Sequence, residues 1–481
     1  MITLEIVPLF GASTRAKSPV VTVQRRLNVY FENRKDGDKT KVACYGTPGL
    51  SPNFTLSTPG GLPVRGMLGT QSSLYLVAYN QFQSVNNSGA PIFTGSVGTT
   101  AGNCSLATNG LQVLIADGAV GYIYTIGAGT FAALPASYPA AARTNTFVSS
   151  FFVAESPGTQ QFFVSAANDG STWNALSTAS ASAYSDNILA VDNLAGNLLT
   201  FSEQHMEFWQ NAGLSPEPFV PILSAANEYG LAAIWSRAHV AESIIFLAQN
   251  REGQRQVVQM QGFNPVVISD PDIESLINSF ATVSDAVALS YGIDQHKFYQ
   301  LSFPTANRSF LYDTSTGLWS EAQTGTSVQP VRHTSNFSTY FQGQTVVSDF
   351  ATNQVYRFDP NVYTDNGTTI IREVDTRHIL SSFNRMRVAC LYLDMETGVG
   401  LQVGQGSNPQ IMLQYSKDNG RTWSAERWTE LGAVGLYSTR VIWRRFGSTK
   451  DATFRIRMSD PVKFVITEGA MKVRQKRRLA A

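Results

Sequence analysis

At 481 residues the chain can bury a large core and hold two or more domains, or one long repeat architecture with an appendage. Only 15% of its residues are charged and the formal net charge is +1, which excludes a global field drawing it to nucleic acid, membrane or a polyanionic substrate; any DNA contact has to be local. The 38 Gly, 28 Phe and 18 Tyr, with abundant Ser, Thr, Val and Asn, suit many short strands joined by tight turns, so the expected class is all-β.

In chain order, Met1 to Phe10 lacks the basic region and long apolar stretch of a signal peptide. No run approaches the roughly 20 apolar residues of a membrane span, so a soluble chain without an export address is expected. Residues 1–61 read as an N-terminal extended arm and linker. They hold Arg25-Arg-Leu-Asn-Val-Tyr-Phe-Glu32, a charged turn from Asn33 to Lys41, then Tyr45-Gly-Thr-Pro-Gly-Leu50 and a Pro/Gly-rich link to Pro63. Cys44, Cys104 and Cys390 are odd in number and far apart, which offers neither a disulfide framework nor a C-x-x-C metal site and fits a reducing compartment.

From 62 to 360 one figure recurs, a short apolar or alternating run, a Gly/Asn/Asp turn and a second run. Examples are Gly110 to Ile126, Asn187 to Trp209 and Lys297 to Trp319. Successive copies start roughly 35 to 55 residues apart, the size of a four-stranded blade, which predicts a β-propeller-like domain of about six to eight blades. In Gln354-Val-Tyr-Arg-Phe-Asp359, Val355 and Arg357 share one face and Tyr356 and Phe358 the other, the period of a strand. One helix interrupts the series. Ser269 and Asp270 can cap it, Pro271 suits its first position, and Ile273, Leu276, Ile277 and Phe280 follow at helical spacing.

Residues 361–481 are richer in Arg and carry longer strand candidates, Arg387 to Met395, Gln410 to Tyr415, Thr439 to Phe446, Thr453 to Met458 and Lys463 to Thr467. They predict an appended C-terminal β-sandwich with a basic tail. Within it Ser416-Lys-Asp418-Asn-Gly420-Arg-Thr-Trp423 is an unbroken Asp-box, S-x-D-x-G-x-T-W, a tight hairpin turn. Ser416 and Asp418 can bond turn backbone, Gly420 can take a positive φ, and Trp423 can pack beneath. Every residue of the box has a turn role, so Asp418→Ala is expected to cost stability and not catalysis. The run Lys472, Arg474, Lys476, Arg477 and Arg478 concentrates positive charge at the C-terminus, where a DNA-phosphate or inter-subunit contact is expected.

A search for catalytic constellations returns mostly negatives, and a glycosidase-type carboxylate pair stays open because its two partners would be distant in sequence. There is no Walker loop, G-x-S-x-G elbow, H-E-x-x-H or dinucleotide fingerprint, and neither a cofactor nor a metal site is expected. His205, His239, His296, His333 and His378 read as solitary, without a ligand or carboxylate at useful spacing. Arg372, Arg377, Arg385 and Arg387 do not single out a converging cluster of the kind a sialidase needs.

The order of features from Ile411 to Val473 resembles the phage packaged-DNA stabilisation proteins, the tail hub or nozzle proteins of short-tailed bacteriophages. It comprises a strand, the Ser416 to Gly420 turn, Arg440-Val-Ile-Trp-Arg-Arg-Phe-Gly447, Phe454-Arg-Ile-Arg457 and a strand from Pro461. Leu27-Asn-Val-Tyr30, Thr47-Pro-Gly-Leu50 and the helix leading into Asp294 to Leu301 also fit. The resemblance implies a propeller-like body, a homo-oligomeric ring of six below the portal and adaptor proteins, tail fibre or needle proteins on its other side, transient non-specific contact with packaged DNA, and no enzymatic activity. The expected place is the virion tail, after assembly in the host cytoplasm. The alternative is a glycan-active or glycan-binding propeller, sialidase-like or a tail depolymerase, drawn from the Asp-box and the wealth of Tyr and Trp.

Overall fold

A computed structural model describes residues 2–7, 17–35, 41–327, 329–380 and 384–475. Seven antiparallel blades follow one another along the chain, within the expected range, each with four strands except the fifth, which has a fifth short strand. They span 64–96, 105–133, 145–180, 188–221, 230–267, 287–322 and 335–359, the last completed by Gly49–Thr55. Each blade buries alternate residues of its middle strands, such as Leu74, Leu76 and Ala78 on one face and Tyr75 and Val77 on the other, so apolar cores lie between neighbouring blades. The helix forms as Pro271–Asn278. Its cap Asp270 accepts from the Ile273 N–H at 2.9 Å, and Ile273 and Ile277 are buried against the fifth and sixth blades.

The described part of residues 1–61 does not form a separate arm and linker. Gly49–Thr55 pairs antiparallel with Gln354–Asp359 as the outer strand of the seventh blade, so an early segment closes the ring on a late one. Pro52 is tolerated there because, among the described residues, that strand meets a further neighbour only at Leu50. Ring closure continues at the inner strands, where the Gly69 N–H donates to Thr339 Oγ1 at 2.7 Å. Val29–Asn33 and Val42–Gly46 join the C-terminal domain. There they form a sheet with Val465–Gln475, Met386–Met395 and Val441–Thr449, and Ile2–Val7 pairs with Val465–Gln475 as well.

The second sheet of that domain is not separate from the propeller. The sixth blade ends in Leu318–Ala322, which pairs parallel with the short strand Arg26–Leu27; this leads through Arg372–Asp375 and Asp451–Met458 to Gln410–Ser416 and Arg427–Glu430. Nine strands therefore run from blade to sandwich without a break in pairing, and Ile379–Leu380, pairing with Asp451–Met458 beside them, makes the sheet ten-stranded. The sandwich core, with Val29, Phe31, Val374, Val388, Leu391, Trp443, Phe446, Phe454 and Ile456, lies between its two sheets.

Candidate functional site

The ten-stranded sheet positions a buried charge cluster where propeller and sandwich meet. In Arg372–Asp375 and Asp451–Met458 the alternation sends Val374, Phe454 and Ile456 into the sandwich core, and the register sets Glu373 opposite Arg457 and Asp375 opposite Arg455 on the other face. Arg455 grips Asp375 with two bonds, at 2.9 and 3.0 Å, and Arg457 binds Glu373 through Nε at 2.8 Å and through its second guanidinium nitrogen. From the N-terminal segment Arg25 donates to Glu321 of the sixth blade at 2.7 and 3.1 Å and lies 3.6 Å from Glu373, while Arg308 reaches Glu321 at 3.3 Å. Burial by itself would raise the Glu373 carboxyl, but Arg455, Arg25 and Arg457 outweigh it and hold the group below its ordinary value. Burial opposes the charge of Arg25 and Arg455 too, and their carboxylate partners leave both raised. Beside this cluster Arg372 is fully buried and donates to the Thr47 carbonyl at 3.3 Å; burial lowers it to about 10.

The Asp-box sits against the cluster. Ser416 Oγ accepts from the Gly420 N–H at 2.9 Å and donates to Asp418 Oδ1 at 2.8 Å; the Asp418 carboxylate takes the Thr422 N–H at 2.9 Å and its hydroxyl at 2.6 Å. Gly420 has φ +75°, and a methyl group there would collide with Val23, so glycine is needed both for the turn and for the close passage of the N-terminal segment. Trp423 stacks on Arg455, with the guanidinium carbon 3.9 Å from the ring centroid, so the hairpin rests on the charge cluster. Hydrogen bonds from Thr422, side chain first and backbone second, and from Ser416 bring Asp418 down to about 2. The turn's contribution is therefore complete above the ordinary carboxyl value of 3.8 and is lost as pH falls through about 2. Asp418→Ala is expected to lower the melting temperature at pH 7 and to leave the chain folded. An unchanged melting temperature would contradict the structural role.

The C-terminal basic run is not a tail at its start. Lys472 and Arg474 lie in Val465–Gln475, a strand paired on both sides, because Met471 and Val473 alternate with them into the core; Lys476, Arg477 and Arg478 lie outside the described residues. The five histidines are not solitary either. His378 bonds Asp451 at 2.6 Å and the Pro19 carbonyl at 2.9 Å; His296 bonds Asp313 at 2.7 Å, His239 Asp192 at 2.8 Å and His205 Asp186 at 3.0 Å, and His333 lies 3.9 Å from Asp365. The hydrogen-bonded carboxylates are 17 to 73 residues away and the Pro19 carbonyl 359, beyond any local spacing signal. His239 flanks a cavity of about 310 Å³ between inner strands of the first, second, fifth, sixth and seventh blades, with Trp235, Phe337 and Arg237.

Sequence reading missed Arg25, Glu321, Glu373, Asp375, Arg455 and Arg457. A signal was present in the complementary alternation of Arg372-Glu-Val-Asp375 and Phe454-Arg-Ile-Arg457, which pair charge to charge once the strands are adjacent. Arg25, Arg455 and Arg457 all meet carboxylates, so the cluster locks elements together and offers no set of unengaged guanidinium groups for an anionic substrate. Among the described residues no group of three or more His, Cys, Asp and Glu side chains is placed to hold a metal ion.

Residues 48–363 match the family model of the β-propeller of bacteriophage P22 Gp10, and residues 371–474 match that of its β-sandwich. Among curated proteins no match is found. Among solved structures the chain is similar to the RRP9 WD40 repeats, at 9% identity over 66% of this chain and 100% of that one with a TM-score of 0.42. It is also similar to YCF48 from Cyanidioschyzon merolae, at 10% identity over 64% and 99% of the two chains with a TM-score of 0.40.

Proposed function

The chain belongs to the bacteriophage P22 Gp10 family of phage structural proteins, with the virion as its place, and from this premise we propose that it forms the tail hub or nozzle ring of a short-tailed phage. In this reading six copies assemble below the portal and adaptor proteins, hold the packaged DNA and conduct it during ejection. Tail fibre or needle proteins dock on the distal side, and the chain carries no enzymatic activity.

The observation that supports the reading most is the unbroken sheet between the sixth blade and the sandwich, pinned by the Arg25, Glu321, Glu373, Arg455 and Arg457 cluster. A hinged pair of domains would dissipate the load of pressurised DNA as domain motion, whereas a shared sheet transmits it to neighbouring subunits. The small net charge agrees, since strongly basic walls would hold DNA by counterion release and slow its passage.

Cryo-EM of the purified protein and of virion tails tests the proposal. Rings of the same symmetry in both are expected. A chain that stays monomeric and is missing from purified virions would sink it, and turnover of a fluorogenic sialoside or host polysaccharide would favour the glycan-active alternative.

A further inference from the structure

The outer face of the sandwich sheet formed by Val465–Gln475, Met386–Met395 and Val441–Thr449 gathers cations that no carboxylate among the described residues neutralises. The register sets Cys390 opposite both Lys472 and Arg444, and sets Arg387 opposite Ser448 and residue 474. A bulge at Ala389 keeps Arg387 and Cys390 on one face although they are three residues apart, and Val388 and Leu391 still enter the core. The partner strand bulges at the same level. There Arg445 takes φ +67°, a left-handed conformation that costs a side-chain-bearing residue about 1 kcal/mol. Its effect is that Arg444 and Arg445, consecutive in sequence, are both exposed, while Trp443 and Phe446 on either side are buried.

Arg387, Arg444 and Arg445 are exposed and Lys472 is half-buried. Among the described residues none of these four takes part in an ion pair, unlike Arg25, Arg455 and Arg457. The carboxylates of this face, Asp394 and Glu468, lie opposite each other towards the other end of the strands. The local excess of positive charge contrasts with a chain of net charge +1.

We propose that this face is a sequence-independent docking surface for the phosphate backbone of duplex nucleic acid, contacted by Arg387, Arg444, Arg445 and Lys472. Neighbouring strands stand about 4.8 Å apart and same-face residues about 7 Å apart. A duplex carries one phosphate per about 3.4 Å of axis on each strand, so a grid of cations at this spacing meets several phosphates at once. Cations spread over three adjacent strands suit a long repeating polyanion better than a discrete small anion. The inference deepens the DNA-handling part of the proposed function and rests on it.

The test is fluorescence anisotropy of the full chain with a labelled duplex of about 20 base pairs, titrated between about 50 and 200 mM salt. Wild type is expected to bind duplexes of unrelated sequence equally. R387A/R444A/K472A should lower the magnitude of the slope of log K against log salt by about 2.7, and R387E alone, at an exposed position less able to disturb folding, by about 1 or more. R251A/K297A/R357A on the propeller, with the same loss of charge, should keep the wild-type slope. The proposal is overturned if wild type fails to bind at about 50 mM salt, if R387E keeps the wild-type slope, if the propeller variant loses as much, or if the chain binds polyglutamate and not the duplex. None of these outcomes depends on ring formation, so a failure here leaves the virion assignment to its own test.

Discussion

Glu373→Gln is expected to destabilise the chain by about 3–5 kcal/mol, a large share of the stability of an ordinary domain. Glu373 is fully buried, with Arg457 on one oxygen and Arg455 and Arg25 near the other. Glutamine keeps the shape and removes the charge. Three guanidinium groups then stay in the interior with Asp375, Glu321 and the more exposed Glu426, 3.8 Å from Arg457, to balance them, and the desolvation already incurred on folding loses its main compensation. The surface pair Arg34–Glu32, at 2.7 Å and with both side chains at least a third exposed, is the control; Glu32→Gln should cost at most about 1 kcal/mol. Chemical denaturation of the three proteins at pH 7 separates the cases. Because the cluster joins the sixth blade to the sandwich, propeller and sandwich probes should shift together. A Glu373→Gln midpoint equal to that of Glu32→Gln would show that the cluster bears little of the fold's stability.

The same cluster marks how far the sequence could be read. Strand runs with clean alternation were legible, and Arg387 to Met395, Gln410 to Tyr415 and Thr453 to Met458 fall within one or two residues of the observed strands. The turn chemistry of Ser416 to Gly420 was legible as well, since it is local and residue-specific. Contacts built from distant or very short pieces were not. Arg26–Leu27 is two residues long, too short to show a period, yet it is the strand that fuses blade to sandwich. Gly49–Thr55 opens on glycine after Pro48 and contains Pro52, so it reads as a link, although its pairing with Gln354–Asp359 completes the ring. The charges from Lys472 onward hid a strand whose alternate residues Met471 and Val473 are buried. The last two errors came from weighing residue type above position in a pattern of period two, whereas Arg26–Leu27 offers no period to read.

Gly69→Ala is expected to destabilise the propeller by about 1–3 kcal/mol, more than a methyl group normally would on an inner strand. Gly69 lies where the first blade meets the seventh. A Cβ there would fall well inside contact distance of the Tyr340 carbonyl oxygen, a backbone atom that cannot rotate away. In an open stack of sheets the end blade would shift outward and relieve the clash. Here it cannot, because the seventh blade is held on its outer side by Gly49–Thr55 and the first by the second, where Gly66 runs equally close to the Cys104 carbonyl. The strain must then spread round a ring whose interiors are close-packed and resist deformation. Thr339→Ala removes only the hydrogen bond to the Gly69 N–H and should cost about 1 kcal/mol. The ordering of the two losses is the informative result: Gly69→Ala above Thr339→Ala, by thermal and chemical denaturation alike, means that closure fixes blade spacing. A Gly69→Ala protein with the wild-type melting temperature would mean that the first and seventh blades have room to part, and that the ring is closed by Gly49–Thr55 alone.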